Sequence, residues 1–176
     1  ENKILQKPLD GNHGNIHPKA KDFIKNGIPF LMANNILNNS IDFINCNKIS
    51  KTQADSLQKG FSYRGDLLLT HKGSVGNLAI VPRSEFPYVM LSPQVTFYRV
   101  ENRKKLNNKF LYLYFQTVNF KKQLKILSIG ATRAYIGITE QRKLAIKLPK
   151  ISEQTKIASF LTSVDSKIEK LTRKKE

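Results

Sequence analysis

The run Gly65-Asp66-Leu67-Leu68-Leu69-Thr70-His71-Lys72-Gly73-Ser74-Val75-Gly76-Asn77-Leu78-Ala79-Ile80-Val81-Pro82 leaves the chain few ways to fold. Gly65 and Asp66 make a turn, and an apolar stretch as short as Leu67–Leu69 reads as a buried strand. Leu78–Val81 resumes the sheet, and Pro82 closes it because proline cannot continue a central ladder. Between them His71–Asn77 is a glycine-punctuated loop, wider than a tight hairpin. A strand–loop–strand unit must therefore sit inside the domain.

The flanking segments extend that sheet. Asp10–Pro18 is turn chemistry, with two glycines, a proline and no regular period. Ile28–Ile36 reads as a strand followed by a polar turn, and Asn38 and Asn39 lead into the apolar stretch Ile41–Ile44. Gln94–Val100 alternates, with Val95 and Phe97 on one face and Thr96 and Tyr98 on the other. The period then changes: Leu111, Tyr114, Phe115 and Val118 form the stripe of an amphipathic helix from about Asn107 to Leu127, with Asn107 or Asn108 able to cap it. Leu144–Leu148 alternates again, Leu144, Ile146 and Leu148 inward and Lys147 outward. The expectation is a mixed α/β (α+β) domain with a twisted, mainly β core over residues 1–150, followed by a coiled-coil-forming helix over residues 151–176.

That helix carries a seam. Ser152 can cap it, and Glu153 stands where free N–H groups favour negative charge. Ile157, Leu161, Val164, Ile168 and Leu171 are spaced 4, 3, 4, 3, the alternation of a coiled coil. Lys167, Lys170, Arg173, Lys174 and Lys175 make its far end too polar for a compact core, which favours an external partner. Docking on the domain's own core is the competing arrangement.

Thirty Lys and Arg against thirteen Asp and Glu give a net charge of +17. Nucleic acid is the usual polyanion behind such an excess. No uninterrupted apolar run approaches the roughly 20 residues of a bilayer span. Cys46 is alone, so an intrachain disulfide and a cysteine metal site are excluded, which fits a cytoplasmic protein. His13 and His17 lie four apart in a Gly/Pro-rich stretch without an HExxH pattern, so metal binding is disfavoured. The Lys72–Gly76 loop lacks phosphate-loop spacing and leads into a strand instead of a helix. No catalytic constellation is apparent.

Candidate DNA-contacting residues fall in several loops. Lys72, Ser74 and Asn77 belong to the glycine loop. Thr132, Arg133 and Tyr135 interleave a donor, a guanidinium and an aromatic ring between Gly130 and Gly137, and Arg can pair with guanine O6 and N7. Asn34, Asn35, Asn38 and Asn39 offer an alternative reading surface, since Asn pairs bidentately with adenine. His13 marks the opening loop. Basic residues cluster from Arg99 to Lys125, and again at Arg133, Arg142, Lys143 and Lys147.

The pieces Asp10-Gly-Asn-His-Gly14, Gly27-Ile-Pro-Phe-Leu31 with Asn35-Ile36, Gly65-Asp-Leu-Leu-Leu-Thr70 with Lys72-Gly-Ser-Val-Gly76, Leu91-Ser-Pro93, and Leu148-Pro-Lys-Ile-Ser-Glu-Gln154 with Lys156-Ile-Ala158 occur in an order that resembles the specificity subunits of type I restriction–modification systems. The resemblance implies a target recognition domain that reads one half of a split duplex DNA sequence. It implies too that the residues from Ser152 onward correspond to a conserved helix that docks methyltransferase (modification) subunits. By the same analogy no cofactor is held by this chain: S-adenosylmethionine, ATP and Mg serve the modification and restriction/translocase subunits. A half-length subunit would dimerise to present two half-sites. The recognition portion of a single-chain restriction enzyme and methyltransferase, or an assembly module, are the alternatives.

Overall fold

Consecutive leucines in a strand point to opposite sides, so Leu67–Leu69 needs apolar partners on both faces of its sheet. The chain supplies them in layers. The computed structural model describes residues 3–128 and 134–173. In chain order the strands are β1 (Leu9–Asp10), β2 (Ile28–Leu31), β3 (Ile36–Leu37), β4 (Ser40–Ile41), β5 (Asn47–Ile49), β6 (Phe61–Ser62), β7 (Leu67–Thr70), β8 (Leu78–Ile80), β9 (Val89–Leu91) and β10 (Val95–Tyr98). The helices are α1 (Lys51–Ser56), α2 (Asn108–Gln116), α3 (Val118–Leu127), α4 (Ile138–Gln141) and α5 (Ile151–Arg173). One sheet runs β1-β10-β7-β8 and is antiparallel throughout. The other runs β5-β2-β9-β6 with β2 and β9 parallel. β3 and β4 form a separate hairpin.

Leu67, Leu69, Leu78 and Tyr98 pack against Phe110, Leu111, Phe115, Phe120 and Leu124 of α2 and α3. Leu68, Ala79, Val95 and Phe97 face the other way, onto Leu31, Ile36, Ile41 and Leu91. The first sheet therefore lies between the helices and the second sheet. The alternation in Gln94–Val100 is real, but all four residues of β10 are buried because both faces are covered. A third cluster, Ile28, Phe30, Ile49 and Met90 with Ala54 and Leu57, closes the second sheet beneath α1.

The strand and polar turn expected over Ile28–Ile36 are present: β2 stops at Leu31, and Ala33–Asn35 is a 3-10 turn in which Asn35 Oδ1 accepts from the Met32 N–H at 2.9 Å. Three expectations are corrected. The helix expected from Asn107 to Leu127 is two helices. Asn107 does cap the first, but Thr117 ends it in extended backbone and caps the second, its hydroxyl donating to Tyr114 O and accepting from Phe120 N. A hydroxyl that competes for backbone groups is the physical cause of the break. The bend lets Phe120 stack on Phe115 at 3.8 Å between centroids and leaves Val118 67% exposed, off the stripe where it was expected.

Leu144–Leu148 forms no strand. Leu144 and Ile146 pack on the helical core and Lys147 faces solvent, as the alternation requires, but Leu148 is exposed. Instead of a neighbouring strand, side chains satisfy this backbone: Gln123 bonds both the N–H and the carbonyl of Ala145, and Tyr114 Oη accepts from Lys147 N. Lastly, α5 begins at Ile151, with the Lys150 carbonyl accepting from Glu153 N and Gln154 N, so Ser152 sits inside the first turn and is not its cap.

The seam of α5 divides. Gln154 and Ala158 are buried against the domain, and Ile157 packs half-buried on the helical core. Gln154 bonds Asn107 N, Lys105 O and Pro149 O, fastening the helix to the start of α2. Further along, Val164 is half-buried, while Leu161, Ile168 and Leu171 are 38%, 57% and 63% exposed, with Phe160 beside them at 67%. Among the described residues no helix is long and apolar enough to cross a membrane.

Candidate nucleic-acid interface

The loop after β7 is built to stand out from the sheet. Thr70 closes its neck, donating its N–H to Asn77 O and accepting from Gly76 N at its carbonyl and from Asn77 N at its hydroxyl. Gly73 and Gly76 have φ of 83° and 99°, the left-handed region that glycine enters without a Cβ clash. Lys72, Gly73 and Ser74 are consequently exposed.

A segment more than sixty residues away in sequence lies alongside. Lys72 forms a β-bridge with Tyr135, Gly73 N donates to Ala134 O, and Ile136 N donates to His71 O. Ile136 is fully buried and anchors this segment, while Tyr135 remains 45% exposed. The glycine loop and the described end of the second loop, Ala134–Ile136, are thus one surface. Thr132 and Arg133 lie outside the described residues, immediately before it.

Beneath the loops is a buried polar knot. His71 Nδ1 lies 3.0 Å from Ile136 O. A carbonyl only accepts, so Nδ1 carries the proton. Nε2 is buried without a hydrogen-bond partner among the described residues and lies 3.9 Å from Asp10 Oδ2. Burial pushes the His71 imidazole below its ordinary value, against the opposing pull of the Ile136 carbonyl and Asp10. Asp10, 3% exposed, binds Lys59 Nζ at 2.5 Å and His13 Nε2 at 2.7 Å. Burial disfavours its charge, but the bonds from Lys59 and His13 outweigh that and hold the carboxyl below its usual range. Asn12 fixes the same opening loop by bonding Lys59 O and Gln58 N. His13 thereby joins Lys72, Ser74 and Tyr135 at one end of the first sheet.

Helix α3 flanks this end. Lys121 and Lys125, one turn apart, line an open cleft of about 410 Å³ with Val75, Gly76, Asn77, Leu124, Ser128 and Ala134. Sequence reading marked the basic stretch but did not separate these two lysines from it; their i, i+4 spacing was the available signal. The Asp10–Lys59 pair, 49 residues apart, carried none.

Two expected residues are engaged within the fold. Asn77 is half-buried and its Nδ2 donates to Ile36 O at 3.0 Å, tying the β3–β4 hairpin to the loop. Asn35 is 2% exposed and its amide oxygen caps Met32 N, so its burial takes it off the reading surface. Asn34, Asn38 and Asn39 are exposed. Of the other basic positions, Arg99 is held by Asp66 and Lys143 by Glu140, whereas Arg64, Arg103 and Lys109 line a cleft before β7, away from the loops. Among the described residues no group of three His, Cys, Asp or Glu side chains is placed to hold a metal ion.

The family model described as "Type I restriction modification DNA specificity domain" matches residues 10–176. Two curated proteins of Methanocaldococcus jannaschii, the type I restriction enzyme MjaVIII and MjaIX specificity subunits, are each 24% identical over 162 residues, covering 90% of this chain. The chain spans only 38% and 36% of their lengths. A solved structure concerned with complex assembly and conformational transition of the type I R-M system superposes at a TM-score of 0.70 with 16% identity, over 97% of this chain and 38% of the other. The HsdS subunit from Thermoanaerobacter tengcongensis gives 0.61 at 15% identity, over 98% of this chain and 38% of the other. The S subunit from M. genitalium gives 0.58 at 14%, over 98% and 42%. These structural likenesses establish the fold.

Proposed function

Because the chain belongs to the type I restriction modification DNA specificity domain family, we propose that it reads one half of a bipartite sequence in double-stranded DNA and performs no catalytic step. Its curated relatives are specificity subunits, the non-catalytic members of such systems. The observation that carries the reading is the meeting of Lys72, Ser74, Tyr135 and His13 at one end of the first sheet, flanked by Lys121 and Lys125. Lysines beside such a surface neutralise phosphates and position the duplex, while neutral and aromatic groups between them meet base edges. Thr132 and Arg133 adjoin this surface in sequence and complete the proposed reading loop.

The proposed division of labour is a recognition unit over residues 1–150 and a docking helix over residues 151–176. Exposed Leu161, Ile168 and Leu171 form the stripe for a methyltransferase subunit's helix, and the restriction/translocase subunit joins that assembly. S-adenosylmethionine, ATP and Mg belong to those cytoplasmic partners. Two such recognition units, from one longer chain or from two copies, supply the two half-sites.

Selection from a randomised duplex pool tests the reading directly. The full chain is expected to enrich a short motif, with affinity falling steeply as salt rises. Equal recovery of all sequences would sink the sequence-reading part. For the helix, Leu161→Ser with Ile168→Ser should abolish capture of a methyltransferase subunit from the same system while leaving the enriched motif unchanged.

A further inference from the structure

The hairpin β3–β4 ends in two exposed amides. Its two turn residues, Asn38 and Asn39, have φ of 50° and 60°. Both positions of this two-residue hairpin turn are left-handed, where glycine is at least as well suited and asparagine is tolerated. The chain keeps an amide side chain at each, and both are exposed, as is Leu37 at 49%.

The base of the hairpin is held firmly. Ile36 and Ile41 pair across it and are buried in the core between the sheets. Asp42 N donates to Asn35 O, and Asn77 Nδ2 donates to Ile36 O from the loop that carries Lys72 and Ser74. Asn38 lies two residues beyond Ile36, about 7 Å along an extended strand. The tip is thus a rigid neighbour of the glycine loop. A two-stranded ribbon is a shape the DNA major groove, about 12 Å wide, admits.

Charge separates the tip from its surroundings. From Ala33 to Cys46 there is no Lys or Arg, in a chain of net charge +17. An element that gripped phosphates would carry cations. One that reads base edges needs neutral donors and acceptors.

We propose that the β3–β4 tip is a second reading element, in which Asn38 and Asn39 recognise adenine N6 and N7 and Leu37 meets the thymine methyl of the same or the adjoining A·T pair. This rests on the half-site reading above and adds to it the residues and base pair involved. The double variant Asn38→Gly/Asn39→Gly tests it, because glycine accepts both left-handed positions and keeps the turn while deleting both amides. In selection from the randomised duplex pool, the variant should lose preference by about 5- to 150-fold at one or two A·T positions and keep the rest of the wild-type motif. Its unfolding temperature should stay within a few degrees of wild type. An unchanged motif, or a uniform loss of affinity at every position, would overturn the proposal while leaving half-site reading intact. Failure of the wild type itself to enrich any motif would remove both. Should the variant unfold, the single substitution Asn39→Asp keeps a residue suited to the turn but cannot donate to adenine N7, and is read by the same criterion.

Discussion

Two aspartates, each 3% exposed, stand near opposite ends of β7 and are held in opposite ways. Asp66, just before the strand, receives Arg99 at both oxygens, 2.8 and 2.7 Å, together with Ser62 Oγ and Tyr63 N. The guanidinium is itself wedged between the Tyr63 and Phe97 rings. The hydrogen bonds that it donates to Asp66 hold Arg99 charged even more firmly than usual. Asp10, beside the end of the strand, relies on Lys59 and a surface histidine, and His71 Nε2 stands 3.9 Å from it without bonding. The first knot is permanent scaffold. The second lies under the loops proposed to meet DNA, where a small adjustment of backbone is useful.

The largest expected effect is at the rigid knot. Arg99→Ala strands a buried carboxylate and should cost about 3–5 kcal/mol in denaturant unfolding. A loss no larger than that of Asp10→Asn would mean the two knots are energetically alike. Asp10→Asn keeps the shape but weakens the bonds to Lys59 and His13, and should cost about 1–3 kcal/mol. It should also blur the enriched DNA motif, whereas a conservative change at Asp66 with the same stability loss should not.

Acid sharpens the contrast further. The folded His71 and His17 imidazoles both lie below their ordinary value of 6.5, lowered by burial. The unfolded chain therefore takes up protons first as pH falls below about 6.5, and stability is lost from there toward the folded values. Asp10 adds a second loss below its ordinary value of 3.8. His71→Asn should flatten the upper part of this profile, and an unaltered profile would assign it to His17. The smallest effect on folding is expected from Lys121→Ala with Lys125→Ala, within about 0.5 kcal/mol. The same pair should reduce the log–log salt slope of DNA binding by about 0.9 for each phosphate contact removed.

What the sequence disclosed follows from how far each signal reaches along the chain. The β7–loop–β8 unit and the α5 seam are local patterns, and both were legible. The break at Thr117 was hidden because a hydroxyl's choice between capping and helix depends on where Phe120 can stack. Leu144–Leu148 has a strand's alternation, yet whether a ladder partner exists is decided by Gln123 and Tyr114, distant residues. Lys72, Ser74, Tyr135 and His13, proposed for the interface, stand out in the sequence by type and spacing. Their meeting rests on Asp10–Lys59 and His71–Ile136, pairs 49 and 65 residues apart that no periodicity marks. Asn35 and Asn77 read in the sequence as DNA-contacting residues, and the fold uses both to tie down its own backbone.

The Gln154 latch acts as a pivot. Its bonds to Asn107, Lys105 and Pro149 fix the angle at which α5 leaves the body, and from Ala158 to Arg173 the rod runs on for about 22 Å at 1.5 Å per residue. A tilt of roughly 10° at the latch would swing the far tip by about 4 Å, close to one base-pair step along a duplex. Whatever grasps that rod thus inherits its aim from this latch and from Ile157 and Ala158 packed beside it.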